Sequence, residues 1–274
     1  MCCKAVLRGR PLPRGCIFRG REGRPRRTAH YRTRYISLEP GEGILASGAS
    51  ETASESTANP TPVKTKRLTL RNVVQMVVFA LAVKPFMALF IGLRVRGRKH
   101  LAASAQFILI ANHSSHLDTI SLLSLFPLSR LRRIRPVAAA DYFERNRFVS
   151  LVTKTLFNIL PIARKNITPE NNPLRRMREA IEAGDSIIIF PEGTRGSGSE
   201  MGEFRSGVAH LIEKIPGLPI VPAYLVNMGR SLPKGEFIPV PFFCEIRVGA
   251  PRVLQGSRQE ITRALEAAVR ELAE

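Results

Sequence analysis

FILIANHSSHLDTISLLSL, residues 107–125, contains a change of period that decides the fold. FILIAN (107–112) is a short apolar run with the length and composition of a buried strand. From Leu117 to Leu125 the pattern is helical, and HSSH, residues 113–116, forms a polar link between the two. Strand, polar loop and helix in that order make up the repeating unit of an α/β domain. Further apolar runs extend the series: IRPVAAA (134–140), SIIIF (186–190), LPIVPAYLV (218–226) and FFCEIRVG (242–249). Helical segments lie between and after them. Asn172-Pro173 reads as an N-cap and first-turn pair, Leu174, Met177 and Ile181 share one face, and Gly184 ends the helix. Ser257 and Glu260 have capping-box spacing ahead of the stripe Ile261, Leu265, Ala268 and Leu272. The expected fold class is α/β, a mostly parallel sheet flanked by helices, over residues 94–274.

Two segments of different character precede this domain. LTLRNVVQMVVFALAVKPFMALFIGL (68–93) is apolar enough to contact a membrane, and from Val73 to Leu93 its only charge is Lys84. A bilayer core needs ~20 apolar residues. A central charge costs roughly 2.5–3.5 kcal/mol, and Pro85 breaks or kinks a helix. The expectation is therefore two short helices in one leaflet, residues 67–93, rather than one clean span. Arg67, Arg71, Arg94, Arg96, Arg98 and Lys99 would sit among anionic headgroups. A buried core helix is the alternative. Residues 1–66 combine an Arg-rich half, with RGREGRPRR (19–27), and a Ser/Thr/Ala/Gly/Pro-rich half, GILASGASETASESTANPTP (43–62). Such a stretch buries too little to offset its ordering entropy, so a disordered tail is expected. Its acid-poor, Arg-rich start is also of the kind that targets a protein to an organelle.

The chain has 274 residues and a net charge of +20, from 42 Lys and Arg against 22 Asp and Glu. Residues 1–67 carry 14 basic and 5 acidic side chains, so +9 lies there and +11 on the rest. So basic a chain needs an anionic partner: nucleic acid, a phosphorylated substrate or an anionic lipid surface. Nucleic acid is supported by charge alone. There is no Trp, only four Tyr, and no RNA- or DNA-binding motif. Arg130, Arg132, Arg133 and Arg135 form one cluster, and Arg175, Arg176 and Arg178 another; a solvated face is the commoner outcome for each. Cys2, Cys3, Cys16 and Cys244 have neither metal-site nor disulfide-framework spacing, so no metal site is expected.

Chemistry concentrates in loops that leave strand ends. In NHSSHLD (112–118), His113 stands at such an exit, and Asp118 falls in the first turn of the following helix. A carboxylate there can bond one imidazole nitrogen and leave the other as a base for a hydroxyl proton. His116 is a rival base. Ser114 and Ser115 lack the surroundings of a nucleophile elbow. In FPEGTRGSGSEMGEFRSG (190–207), Gly193, Thr194, Arg195 and Gly196 form a tight polar loop suited to phosphate through backbone N–H groups, hydroxyl and guanidinium. Glu192 would fix Arg195 or bind a substrate hydroxyl. Arg164 and Lys165 follow FNILPIA (157–163) and could reach the same anion. Pro222 interrupts a strand-like run, which implies an edge, a bulge or a pocket wall.

Taken together, NHSSHLD, FNILPIARK, FPEGTRG and IVPAYL, in this order, resemble the glycerolipid acyltransferase family, the PlsC-type lysophosphatidic acid acyltransferases. The resemblance runs from about Leu93 to the C-terminus and leaves residues 1–66 unmatched. It implies transfer of a fatty acyl group from acyl-CoA or acyl-carrier protein to the free hydroxyl of lysophosphatidate, without an acyl-enzyme and without a cofactor. On this resemblance His113 is the general base and Asp118 its orienting partner. Arg195, with Gly193 and Thr194, holds the acceptor phosphate, joined by Arg164, and Glu192 helps to position the acceptor. The implied partners are the thioester donor, the lysophospholipid and an anionic membrane surface on the cytoplasmic face. Glycerol 3-phosphate or another lyso-lipid, such as an ornithine lipid precursor, is the alternative acceptor. A non-catalytic membrane scaffold is a further reading, opposed by the intact His113 and Asp118.

Overall fold

The computed structural model describes residues 36–37, 67–140, 155–196, 201–233, 236 and 238–274. The basic, Ser-rich tail expected over 1–66 lies outside them, apart from Ile36–Ser37 (β1). The remaining strands are Arg94–Arg96 (β2), Ile108–Ala111 (β3), Ile134–Ala139 (β4), Leu160–Ile162 (β5), Ser186–Ile189 (β6), Ile220–Val226 (β7), Glu245–Val248 (β8) and Arg252–Val253 (β9). Their order is β1-β9-β7-β3-β6-β4-β5, with β8 beside β7 and β2 beside β8. The five strands from β7 to β5 run parallel, whereas β8 and β9 meet β7 antiparallel. The fold is thus the expected mostly parallel sheet flanked by helices.

Side chains alternate across each strand and feed two cores. Ile108 and Ile110 of β3 point to one face and join Met177 and Ile181 of the helix Pro173–Glu182, Val208 and Leu211 of Gly207–Lys214, and Ile261 and Leu265 of Arg258–Arg270. Leu109 and Ala111 point to the other face, against Leu122 and Leu123 of Leu117–Ser124 and against Phe79 and Met87. The helix starts follow local chemistry. The Asn172 side chain accepts from the N–H groups of Leu174 and Arg175, with Pro173 in the first turn. Ser257 and Glu260 complete a capping box.

The apolar segment departs from expectation. Leu70–Phe90 is one continuous helix of 21 residues, its most apolar 18-residue stretch having a mean hydropathy of 2.1, not two helices broken at Pro85. Wider π-helical turns at Phe79–Val83 and Phe86–Phe90 flank the proline. There the bonds step back five residues, with Lys84 N–H donating to the Phe79 carbonyl, so the ring is accommodated without ending the helix. Lys84 does not face lipid: its Nζ donates to the Phe126 carbonyl at 2.9 Å, just past the end of Leu117–Ser124, where a cation is favoured. Gln75, Phe79, Met87 and Ile91 are buried against the domain, while Leu70, Val74, Val77, Leu81 and Leu89 are exposed along the outer side.

Pro222 is neither at a sheet edge nor in a bulge. It lies inside β7, paired with Ile110 of β3 on one side. On the other side β7 changes partner from β9, at Ile220, to β8, from Ala223. The Pro222 carbonyl accepts from Gly249 N–H at 2.8 Å, so the side of the residue that lacks a donor faces this junction.

Candidate active site

The site forms where β3 and β6 end side by side. The two strands are adjacent and in register, with Ile110 opposite Ile189, so the NHSSHLD and PEGTRG loops leave the same end of the sheet together. Asn112 anchors the first loop: its amide gives and takes a bond with Leu225 of β7, at 3.0 and 2.7 Å. In effect the side chain extends the sheet by one rung.

His113 Nδ1 lies 2.8 Å from Asp118 Oδ2. The same oxygen accepts from Ser114 N–H at 2.7 Å and Ser115 N–H at 2.8 Å, and Asp118 is fully buried in the first turn of its helix. An acceptor-only carboxylate on Nδ1 makes that nitrogen the donor and leaves Nε2 with the lone pair. The helix N-terminus further favours the negative charge. The imidazole stacks on Phe190, with centroids 4.1 Å apart and planes at 16°. Ser115 is engaged elsewhere: its Oγ donates to the Leu232 carbonyl and accepts from Leu117 N–H, and the residue is fully buried. Burial, and then the charges of Arg195 and His113, push His116 below the ordinary histidine range, against a smaller opposing effect of Asp118.

The second loop clasps the first on both sides of His113. Glu192 Oε1 accepts from His113 N–H at 2.8 Å, and Gly196 N–H donates to the His113 carbonyl at 2.9 Å. Glu192 Oε2 accepts from Gly202 N–H at 3.1 Å. Burial raises the Glu192 carboxyl above its usual range, although the bonds from His113 and Gly202 oppose that shift. Expected to position the acceptor, Glu192 instead has both oxygens on backbone donors. Gly193 turns the chain at φ +75°, and its N–H closes the turn on the Phe190 carbonyl, so this N–H is not a free cradle donor. A Cβ here would also lie 3.0 Å from Arg205 Nε, which donates to the Glu192 carbonyl.

Arg164, entering after β5, donates from Nη2 to the Gly193 carbonyl and thus joins the loop from a strand two positions away. Thr194 is exposed. Arg195 Nη1 is buried without a hydrogen-bond partner among the described residues. A buried guanidinium donor with no acceptor is costly unless a ligand supplies one. All seven residues singled out in the sequence, His113, Asp118, Arg164, Glu192, Gly193, Thr194 and Arg195, therefore lie on two clasped loops, the first turn of the helix that follows one of them and the strand end beside them. Asn112, Phe190, Gly202 and Arg205 were not anticipated in these roles. All four stand inside stretches quoted from the sequence, but no local pattern singles out Gly202 or Arg205 within FPEGTRGSGSEMGEFRSG.

Residues 92–226 match the Acyltransferase family model. A chloroplastic 1-acyl-sn-glycerol-3-phosphate acyltransferase of Brassica napus is 26% identical over 145 residues, 52% of this chain and 39% of the relative. A probable 1-acyl-sn-glycerol-3-phosphate acyltransferase of Mycoplasma genitalium is 32% identical over 129 residues, 47% of this chain and 46% of the relative. The alpha form from Bos taurus is 26% identical over 202 residues, 73% of this chain and 68% of the relative. The chain thus spans 39% of the length of the Brassica relative and of its Arabidopsis thaliana counterpart. The crystal structure of the 1-acyl-sn-glycerophosphate acyltransferase PlsC from Thermotoga maritima shares the fold, with a TM-score of 0.58 at 21% identity over 74% of this chain and 80% of that one. The motifs in order, the Acyltransferase family model over residues 92–226 and relatives named 1-acyl-sn-glycerol-3-phosphate acyltransferases together support a PlsC-type glycerolipid acyltransferase.

Proposed function

We propose that the protein transfers a fatty acyl group from acyl-CoA or acyl-carrier protein to the free hydroxyl of lysophosphatidate, giving phosphatidate. The observation that carries this reading is the buried Asp118 carboxylate on His113 Nδ1, with the unpartnered Arg195 donor on the loop clasped to it. His113 Nε2 takes the hydroxyl proton as the acceptor oxygen attacks the thioester carbonyl carbon. The new C–O bond forms, the C–S bond breaks, and the imidazolium returns its proton to the departing thiolate. Asp118 holds the ring and balances the imidazolium charge. Ser115 takes no covalent role, in keeping with its two bonds inside the fold. Arg195 binds the acceptor phosphate with Arg164 and the Thr194 hydroxyl, while Gly193 supplies the turn and Glu192 holds the base loop. General-base assistance contributes about 10²–10⁴-fold, and holding both lipids in line contributes further through orientation.

The enzyme would work from one leaflet. Leu81 and Leu89 are 77% and 85% exposed on a helix whose opposite side is in the domain core, an arrangement that suits lipid on one side and protein on the other. Exposed Ile238, Val240 and Phe243 add to this surface, and the Phe243 ring lies beside Gly92 at the helix end. The short helix Met228–Ser231 connects that loop to the site: Ser231 bonds the Val240 carbonyl, and Gly229 packs on Ser114.

The test is the full chain in detergent with lysophosphatidate and labelled acyl-CoA or acyl-carrier protein, with product separated by chromatography. Phosphatidate should form, and His113→Ala should lower the rate at least ~10²-fold. Arg195→Ala should raise the KM for lysophosphatidate and not for the thioester. Turnover on other lyso-lipids with none on lysophosphatidate would overturn the acceptor assignment, and substantial turnover in His113→Ala the mechanism.

A further inference from the structure

The run SIIIF (186–190) alternates across the sheet. Ile187 and Ile189 of β6 point to the face covered by Pro173–Glu182 and Arg258–Arg270, and Ile188 and Phe190 to the face covered by Leu117–Ser124. Phe190 is the first residue beyond β6. Continuing the register of Ile110 with Ile189 by one step sets it beside Ala111 of β3. Ala111 is fully buried and carries only a methyl group, so it does not compete for the space above it. Strand side chains lean along the strand direction. The Phe190 ring accordingly comes to lie on the imidazole of His113, two residues beyond Ala111, with the 4.1 Å centroid separation and 16° tilt of a parallel stack.

This stack supplies what the other contacts of His113 do not. The backbone of His113 is held on both sides, by Glu192 Oε1 at its N–H and by Gly196 N–H at its carbonyl. The imidazole is held at one atom, Nδ1, by Asp118. A ring bonded at one atom can still turn about that bond, and the Nε2 lone pair turns with it. A phenyl plane against one face stops the rotation. The same plane meets the charge that forms during reaction. When Nε2 takes a proton, the imidazolium lies over the negative face of the Phe190 ring, well inside the ~6 Å reach of a cation–π contact. The His113 side chain is 20% exposed, so water screens this attraction only in part. Asp118 supports the same charge from the imidazole edge, at Nδ1, so the two influences can be separated by substitution.

We propose that Phe190 is a positioning residue for the general base: the face of its ring fixes the plane of the His113 imidazole and stabilises the imidazolium of the transition state. The inference rests on the acyl-transfer reading and adds to it a residue marked by neither charge nor hydrogen bond. An aliphatic side chain of similar bulk fills the space but offers no negative face, so an aromatic ring is required. The contribution grows as the charge develops, and it therefore belongs to kcat and not to KM.

The experiment compares the wild type, Phe190→Leu, Phe190→Tyr and a protein with a difluorinated phenylalanine in place of Phe190, each as the full chain in detergent. Initial rates at saturating thioester give kcat and the KM for lysophosphatidate, and a circular-dichroism melt is taken of each sample. Phe190→Leu should lower kcat roughly 5–30-fold, as expected for loss of a partly desolvated cation–π contact, and leave KM unchanged. Phe190→Tyr should recover most of the rate. The difluorinated ring keeps the shape of phenylalanine with a depleted face, so its kcat should fall between those of the wild type and Phe190→Leu. It keeps the test valid even where Phe190→Leu melts early. Wild-type kcat in Phe190→Leu, a raised KM in place of the lowered kcat, Phe190→Tyr as slow as Phe190→Leu, or a fluorinated ring as fast as phenylalanine would each overturn the proposal and leave the acyl-transfer reading standing. A wild type inactive on every lyso-lipid overturns that reading, and this proposal with it.

Discussion

Asp118→Asn replaces a buried carboxylate by an amide of the same shape, and the structure determines how the amide must sit. Three donors converge on Oδ2: His113 Nδ1–H, Ser114 N–H and Ser115 N–H. An NH2 group in that place would face all three, so the amide oxygen takes it, and the imidazole keeps its tautomer. What is lost is charge. A unit charge pair about 4 Å apart is worth about 4 kcal/mol at the effective dielectric that suits protein sites. At 1.36 kcal/mol per decade, loss of that support for the imidazolium lowers kcat about 10³-fold. The ground state loses less. Two backbone bonds change from a charged to a neutral acceptor at about 1 kcal/mol each. For a domain of this size that lowers the melting temperature by roughly 4–8 °C. The assay is the initial rate of acyl transfer together with a circular-dichroism melt of the same sample. A variant that melts within this range and loses less than tenfold in rate would refute the claim that Asp118 supports the imidazolium. An inverted tautomer would instead appear as a loss near 10⁴-fold.

Leu81→Asp with Leu89→Asp, both on the outer side of the helix, should reduce vesicle partitioning about 10²-fold or more with little change in melting, since each leucine contributes roughly 1.5–3 kcal/mol on burial; Phe79→Asp, inside the core, should unfold the protein instead, and flotation with melting curves tells the two apart. Glu192→Gln leaves one of two backbone donors without an acceptor and should lower kcat about tenfold or more. Because burial raises the Glu192 pKa, the native state holds its proton more tightly than the unfolded chain. In the wild type this carboxyl therefore contributes a stability that falls as pH rises through and above the ordinary value of 4.5, and urea titrations across pH should find that contribution absent from the variant. Burial, the largest influence, pushes the Cys244 thiol up to about 11. At pH 8 only about 10⁻³ is thiolate, so iodoacetamide should label Cys244 in urea and spare it in the native protein, as read by peptide mass spectrometry.

The helices and strands were legible where their cause is local. Asn172-Pro173 and Ser257 with Glu260 satisfy the first N–H groups of their own helices, so their positions mark helix starts without reference to the rest of the chain. The His113–Asp118 pair is of the same kind, since five residues from a strand end to a first helical turn bring the two together. The segment around Pro85 departs from its local pattern because neither the proline nor the lysine stands alone in lipid. The helix instead widens into π turns, and Lys84 finds a carbonyl 42 residues away.

By itself the sequence determined the α/β alternation, the caps, the His113–Asp118 pairing and the four motifs that resemble the acyltransferase family, because each depends on dihedral preference and hydrogen bonds within a few residues. Only the tertiary structure decided that Glu192 braces His113 across 79 residues, that Arg164 holds the Gly193 carbonyl across 29, and that Arg71, Arg135 and Arg176 share one cavity. These meetings follow from strand order. Apolar runs such as FILIA and SIIIF carry the period of a strand but not the identity of its neighbour, and packing β3 between β6 and β7 is what brings their loops to one end of the sheet.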